Sequence, residues 1–258
     1  MFAEERHRLI TDQLAAEGKV TVAKLAERFE ITAETVRRDL AQLESENLLR
    51  RVHGGAVSIS DASTREESYM ARTAIHAEAK ARIAQRALSL LPVSDASVIL
   101  DAGTTTEFLA ERMVKTNAGS GLVVITHALP IATALVQSPE IALELIGGRV
   151  RGITGATSGA RTAQEYSNYR ADIAFIGTNA LHADFALSTP DPLEAAVKTA
   201  LIASARRVVL LADSSKFDQE TLVRFARLDA IDTLVTDSAP QGDLAAALEL
   251  AEVEVVVA

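Results

Sequence analysis

The chain has 258 residues, 48% apolar, 24% charged and 4% aromatic, an ordinary globular composition whose length suits two domains of unequal size. Lys and Arg number 26 against 35 Asp and Glu, a net charge of -9, so any contact with nucleic acid has to be local and the molecule as a whole is repelled by anionic membrane. With no Cys there are no disulfides, thiolate metal sites or thiol nucleophile, and with no apolar run near the length of a membrane span and a charged start, MFAEERHRLI, the expectation is a cytoplasmic protein without a membrane partner.

Three helical periods follow within 50 residues. Ile10 and Leu14 share a face of a first helix that ends at Gly18; Val22, Leu25, Ala26 and Phe29 line a second; Val36, Leu40 and Leu43 line a third that starts from the N-cap Thr32. Only Phe29, Glu30 and Ile31 separate the second from the third, the tight connection of a helix-turn-helix. The third helix leaves Ala33, Glu34, Thr35, Arg37 and Arg38 on outer or N-terminal faces, from which side chains reach base edges and phosphates. LLRRVHGGAVSI, Leu48 to Ile59, has period two broken by Gly54-Gly55, which predicts a β-hairpin wing carrying Arg50, Arg51 and His53. The same pattern also fits a protein-docking module whose Arg37 and Arg38 pair with Glu34, Asp39 or Gln42 on a solvated helix face.

Residues 1–57 form this winged helix-turn-helix, and residues 58–75, which include SISDASTREES, lack apolar periodicity and read as a linker. Over residues 76–258 short β-branched runs alternate with amphipathic stretches. The runs are SVILD (97–101), LVVIT (122–126), IALELI (141–146), DIAFIG (172–177), RVVLLAD (207–213), TLVT (233–236) and EVVV (254–257). Strands buried on both faces with crossover helices between them make an α/β domain with a largely parallel sheet.

Ligands of such sheets bind where strands end in loops that present backbone N–H groups at helix N-termini. DAGTTT, Asp101 to Thr106, has that character, although its threonines also suit simple helix capping. Thr126-His127, Gly147-Gly148, Gly177-Thr178-Asn179 and Asp213-Ser214-Ser215-Lys216 follow four other strands, and five such ends point to a ligand. Lys198 and Lys216 are candidate anion partners, with solvated surface lysines as the alternative.

Arg6, Ile10, Leu14 and the string TAETVRRDL from Thr32, followed by RVHGGA, closely resemble the N-terminal signature of the DeoR family of bacterial sugar-catabolism repressors. DAGTT, VIT, LIGG-x-V-R, ADIAFIGTNAL, LST, EAAVK and DSSKF resemble that family's effector domain, which implies the fold of ribose-5-phosphate isomerase and glucosamine-6-phosphate deaminase. The resemblance implies DNA contacts from Thr32, Glu34, Thr35, Arg37, Arg38, Arg50, Arg51 and His53. It implies that Gly103, Thr104 and Thr105 hold a phosphate, and that Asp101, Gly147, Gly148, Asn179, Glu194, Lys198 and Lys216 line a sugar pocket together with Thr126 and His127 at their strand end. His127 stands where the family usually has Asn, which suggests a different ligand or a pH-sensitive contact. MFAEERHRLI and GLVVITHALPIA look closest to actinobacterial members that control sugar uptake, often fructose-related.

The expected function is therefore a non-enzymatic repressor of sugar uptake or catabolism genes, without cofactor or metal, that binds double-stranded operator DNA as a homodimer or homotetramer and is released by a phosphorylated sugar such as a fructose phosphate. A sugar-phosphate isomerase or deaminase with Asp101 or Glu194 as base is the alternative.

Overall fold

Two threonines and one left-handed residue set out the N-terminal helices. Helix α1 (Ala3–Glu17) leads through a short strand β1 (Lys19–Thr21) into α2 (Val22–Phe29), where the Thr21 hydroxyl accepts the Lys24 N–H at 3.3 Å. Glu30, at φ 54, ends α2 with its N–H on the Ala26 and Glu27 carbonyls, and two residues later Thr32 caps α3 (Ala33–Ser45) by accepting the Thr35 N–H at 3.2 Å. The wing strands β2 (Leu49–Val52) and β3 (Gly55–Ser58) pair antiparallel, and β3 pairs on its other side with β1, a third strand too short to show a period in the sequence. Gly55 permits that contact, since a Cβ there would lie 2.0 Å from the Val20 carbonyl oxygen. The residues expected on the three apolar stripes, Ile10, Leu14, Leu25, Phe29, Val36, Leu40 and Leu43, pack as one core with Val20, Leu49 and Ala56.

The computed structural model describes residues 3–17, 19–46, 48–52, 54–58, 64, 66 and 69–258, and divides the chain into the units Met1–Arg65 and Glu66–Ala258. The second unit opens with α4 (Tyr69–Ala74) and α5 (Ala77–Ala87). Residues 69–74, read as linker from their composition, are thus helical; the short helix is held by Arg72, which donates to the Ile153 carbonyl, and by the Lys80 ammonium on the Ile75 carbonyl at 2.7 Å.

All seven expected strands form one parallel sheet: β4 (Ser97–Leu100), β5 (Val123–Thr126), β6 (Ala142–Leu145), β9 (Ile173–Gly177), β12 (Val208–Leu211), β14 (Thr233–Thr236) and β15 (Glu254–Val257). Between them run α6 (Thr104–Thr116), α7 (Leu129–Leu135), the hairpin β7 (Arg149–Arg151) and β8 (Ala156–Ser158), α8 (Ala160–Tyr166), β10 (Ala180–His182), β11 (Ala186–Thr189), α9 (Pro192–Ala203), β13 (Val223–Ala226) and α10 (Gly242–Leu250). Strand side chains alternate between two cores, as a sheet covered on both faces requires. Val98, Leu100, Phe175, Val209 and Leu211 pack against α5, α6 and α7; Ile99, Ala174, Ile176, Leu210 and Leu234 pack against α8, α9 and α10.

The strand order is β15-β14-β12-β9-β4-β5-β6. From β4 the chain winds outward through β5 and β6, then returns to β9 on the other side of β4 and winds the opposite way. The reversal opens a crevice at the carboxyl ends of β4 and β9, the usual ligand position in open α/β sheets.

Candidate functional site

Helix α3 buries Val36, Leu40 and Leu43 and turns Glu34, Arg37 and Arg38 to solvent. Arg37 reaches back to Glu34 at 3.1 Å, with side chains 57% and 77% exposed. Such a surface pair is worth a few tenths of a kcal/mol and holds Arg37 only weakly. The wing exposes Arg51, whose backbone N–H donates to Glu44 at 2.8 Å. Arg50 lies on β2 with its side chain outside the described residues, and His53 lies outside them altogether. Asp39, which the docking-module alternative offered as a surface partner of Arg37 or Arg38, is buried. It accepts Arg6 Nε at 2.7 Å, Arg6 Nη2 at 2.9 Å and His7 Nε2 at 3.2 Å, tying α1 to α3. Burial pushes its carboxyl up, but the hydrogen bonds from Arg6 and His7 outweigh this and hold it below the usual range.

At the β4/β9 reversal the second unit holds a cavity. Of the residues expected there, Asp101, Gly103, Thr104, Thr105, His127, Asn179, Glu194, Lys198 and Lys216 line it. Thr104, Thr105 and Thr106 begin α6, where backbone N–H groups have no partner within the helix. The Thr106 hydroxyl is committed to the Asp101 and Gly103 carbonyls at 2.7 and 2.8 Å.

Thr126, Gly147 and Gly148 do not line the cavity. The Thr126 hydroxyl donates to the Leu100 carbonyl at 2.7 Å and accepts the Ala128 N–H, joining β5 to β4. The Gly147 carbonyl accepts from Thr162, and a Cβ on Gly148 would stand 2.1 Å from the Thr162 hydroxyl, so this Gly-Gly pair serves close packing of α8.

The floor of the cavity is ionic. Asp101 is wholly buried; its Oδ2 accepts Lys198 Nζ at 2.5 Å and the Gly177 N–H at 2.9 Å, and Lys198 donates also to the Gly177 carbonyl at 2.9 Å. Lys198 is therefore already neutralised; the other cationic side chains lining the cavity are Arg72, Lys80 and Lys216. His127, 4% exposed, stands with Nε2 3.8 Å from Asp101 Oδ1 and Nδ1 2.8 Å from the Tyr166 hydroxyl. Burial lowers its pKa to about 4, against the opposing pull of the Asp101 charge. Burial thus keeps the imidazole neutral around neutrality, which weighs against a contact that changes charge there. The shift acts on stability instead. An unfolded His127 titrates near its ordinary 6.5 and the folded one near 4, so the stabilisation is complete above pH 6.5 and is lost as pH falls toward 4. Denaturant melts of the second unit should lose about 2 kcal/mol between pH 7 and pH 5 through this group, a loss that His127→Asn should abolish; equal losses in both proteins would place the titration elsewhere.

Among the lining residues that lay outside the sequence expectations are Arg72 from α4, Lys80 from α5 and Thr154 from the β7–β8 hairpin. Lys80 shares a helical stripe with Ile83, Ala84 and Ala87, and a charge within an apolar stripe was the signal available for it. Beside the cavity Arg151 is shared by three carboxylates, Glu66 at 2.8 Å, Asp191 at 3.2 Å and the cavity residue Glu194 at 2.5 Å. Burial works against its charge, yet the bonds to Glu66 and Glu194 raise its pKa above the ordinary value. Among the described residues no group of three or more His, Asp or Glu side chains is arranged to hold a metal ion. No described helix is long and apolar enough to cross a membrane.

Residues 6–62 match the DeoR-like helix-turn-helix domain and residues 75–238 the DeoR C terminal sensor domain. The chain is 37% identical over 238 residues to the HTH-type transcriptional regulator FruR of Bacillus subtilis, covering 92% of each chain. It is 31% identical over 240 residues to the glycerol-3-phosphate regulon repressor of Escherichia coli, covering 93% of each. Ribose 5-phosphate isomerase A from Neisseria gonorrhoeae aligns with a TM-score of 0.39 at 15% identity, over 54% of this chain and 52% of that one. With the sensor domain matched over more than half its length and two near-full-length relatives above 30% identity, the chain belongs to the DeoR family of transcriptional regulators and is not an isomerase or deaminase.

Proposed function

We propose that this regulator represses genes of sugar uptake or catabolism, binding operator DNA through α3 and the wing as a homodimer or homotetramer, and leaves the operator when a phosphorylated sugar fills the cavity. The observation that carries the reading is a set of buried polar atoms on cavity residues, Asp101 Oδ1, Thr154 Oγ1 and Arg72 Nε, that have no hydrogen-bond partner among the described residues. Buried groups of this kind are costly unless a ligand or ordered water satisfies them, and several converging on one cavity suit a polar ligand. The start of α6 offers N–H groups and a positive helix end to a phosphate, with Lys216 and Arg72 as charges and Asp101 and Glu194 as acceptors for hydroxyls. Fructose 1-phosphate and fructose 6-phosphate are the first candidates, and the name of the Escherichia coli relative adds glycerol 3-phosphate. A ligand that favours the DNA-free geometry weakens operator binding by a coupling of about 1–3 kcal/mol per site.

The test is a thermal-shift series with these three phosphates, followed by operator binding with and without the one that stabilises most. Stabilisation together with operator release is expected; stabilisation with tighter operator binding would reverse the sense of control, and no stabilisation by any phosphate would remove the effector reading. On the DNA side, Arg37→Ala and Arg38→Ala should each weaken operator binding by about 1–3 kcal/mol without moving the melting temperature. Parent-like binding by both variants would take α3 out of the interface.

A further inference from the structure

We propose that Tyr166 sets His127 to present its Nε2–H beside Asp101 Oδ1, and that this donor and acceptor together read one hydroxyl group of the ligand. The inference rests on the reading of the cavity as a sugar-phosphate site, and it assigns to that site a residue, Tyr166, that does not line it. Tyr166 closes α8 and is wholly buried; its carbonyl accepts the Ser204 hydroxyl at 2.7 Å, which anchors the end of α8 to the end of α9. Its ring meets the imidazole edge-on, at 86° and 5.7 Å between centroids, and its hydroxyl lies 2.8 Å from Nδ1.

Either partner of that bond can donate in principle, and the far side of the imidazole decides between them. Nε2 faces Asp101 Oδ1 at 3.8 Å. Were the proton on Nδ1, the Nε2 lone pair would confront a buried carboxylate oxygen, two acceptors with no donor between them. With the Tyr166 hydroxyl donating to Nδ1, the proton sits on Nε2 and points to the carboxylate. Burial and the nearby Asp101 charge raise the phenol well above its ordinary pKa, so it keeps the proton it donates.

The distance of 3.8 Å is too long for a hydrogen bond between the two groups and suits one small group bonded to both. Asp101 Oδ2 is already saturated by Lys198 and the Gly177 N–H, whereas Oδ1 is buried without a hydrogen-bond partner among the described residues. The bound group must therefore donate to Oδ1 and accept from Nε2 through one atom. A hydroxyl does both. A carbonyl cannot donate, an ammonium cannot accept, and a deoxy position leaves both protein groups unpaired, which is the costly case.

The experiment uses the full-length protein with 15N-labelled histidine. In the parent, NMR should find His127 as the neutral Nε2–H form, and Tyr166→Phe should shift it toward a mixture. Fructose 1-phosphate, fructose 6-phosphate and their monodeoxy analogues are then titrated into both proteins. One analogue should bind the parent at least tenfold more weakly than its sugar, and Tyr166→Phe should lose most of that discrimination while binding the sugar about tenfold more weakly. A purely structural Tyr166 would change stability and leave the tautomer and the discrimination in place. A proton on Nδ1 in the parent, or a phenylalanine variant that discriminates like the parent, would overturn the proposal. The tautomer measurement needs no substitution and decides the matter even where Tyr166→Phe fails to fold. Failure of every sugar phosphate to bind the parent would overturn the effector reading itself, and this inference with it.

Discussion

Asp39→Ala is expected to destroy operator binding by unfolding the N-terminal unit, at a cost of about 3–5 kcal/mol. The substitution leaves the Arg6 guanidinium, 9% exposed, without the carboxylate that it grips through both Nε and Nη2. A unit of this size holds little stability in reserve. Among the described residues its apolar core has ten buried side chains, and the Arg6–Asp39 pair helps to fasten α1 across α3. Melting followed by circular dichroism should therefore show an early transition lost or shifted far down, with the second unit's transition and its ligand response unchanged. Because the damage comes from removing one half of a buried pair, Arg6→Met with Asp39→Leu should recover most of the stability. An Asp39→Ala protein that melts and binds DNA like the parent would show that the pair contributes nothing.

Lys198→Met is expected to strike the second unit with similar force. Asp101 is fully excluded from solvent, and without the ammonium its Oδ2 keeps only the Gly177 N–H. The stranded carboxylate costs about 3–5 kcal/mol, of the order of a 10 °C fall in the second unit's melting temperature. Adding Asp101→Asn removes the charge and should restore much of the loss, while abolishing any binding that depends on the carboxylate. A single variant that melts within a degree or two of the parent would mean that Asp101 and Lys198 do not act as a pair.

Both predictions turn on buried ion pairs, whose partners lie far apart in the chain and so carry no joint signal in the sequence. The seven strands of the main sheet were legible as short apolar runs; β4, β9, β12 and β14 are buried on both faces and mostly β-branched, whereas the edge strands β6 and β15 are largely exposed and showed only as IALELI and EVVV. The smaller pieces were not. β1 and β7 have three residues each, and β10, β11 and β13 form a side sheet whose pairing depends on distant segments. Asp39 repeats at helical spacing with Val36, Leu40 and Leu43, so its burial is visible in the stripe once Arg6 is known to face it. At the cavity, the β4 and β9 loops were readable from small and hydroxyl residues after apolar runs. The same rule misplaced Thr126, Gly147 and Gly148, since a hydroxyl or a Gly-Gly after a strand serves backbone bonding and close packing equally well. Arg72 and Thr154 carry no local signal, because α4 and the β7–β8 hairpin bring them to the cavity from outside the main sheet.

The reversal of strand order between β4 and β9 also determines how a bound molecule would change the motions of the fold. Its walls come from α6, which belongs to the layer on one face of the sheet, and from α9, which belongs to the layer on the other. Local openings of a protein expose one cooperative piece at a time. An occupant touching α6 through Thr104 and α9 through Glu194 has to depart before either layer can lift, so its full binding free energy is added to the opening of both. Amide exchange should therefore slow in α6 and in α9 to the same degree, although the two helices share no side of the sheet.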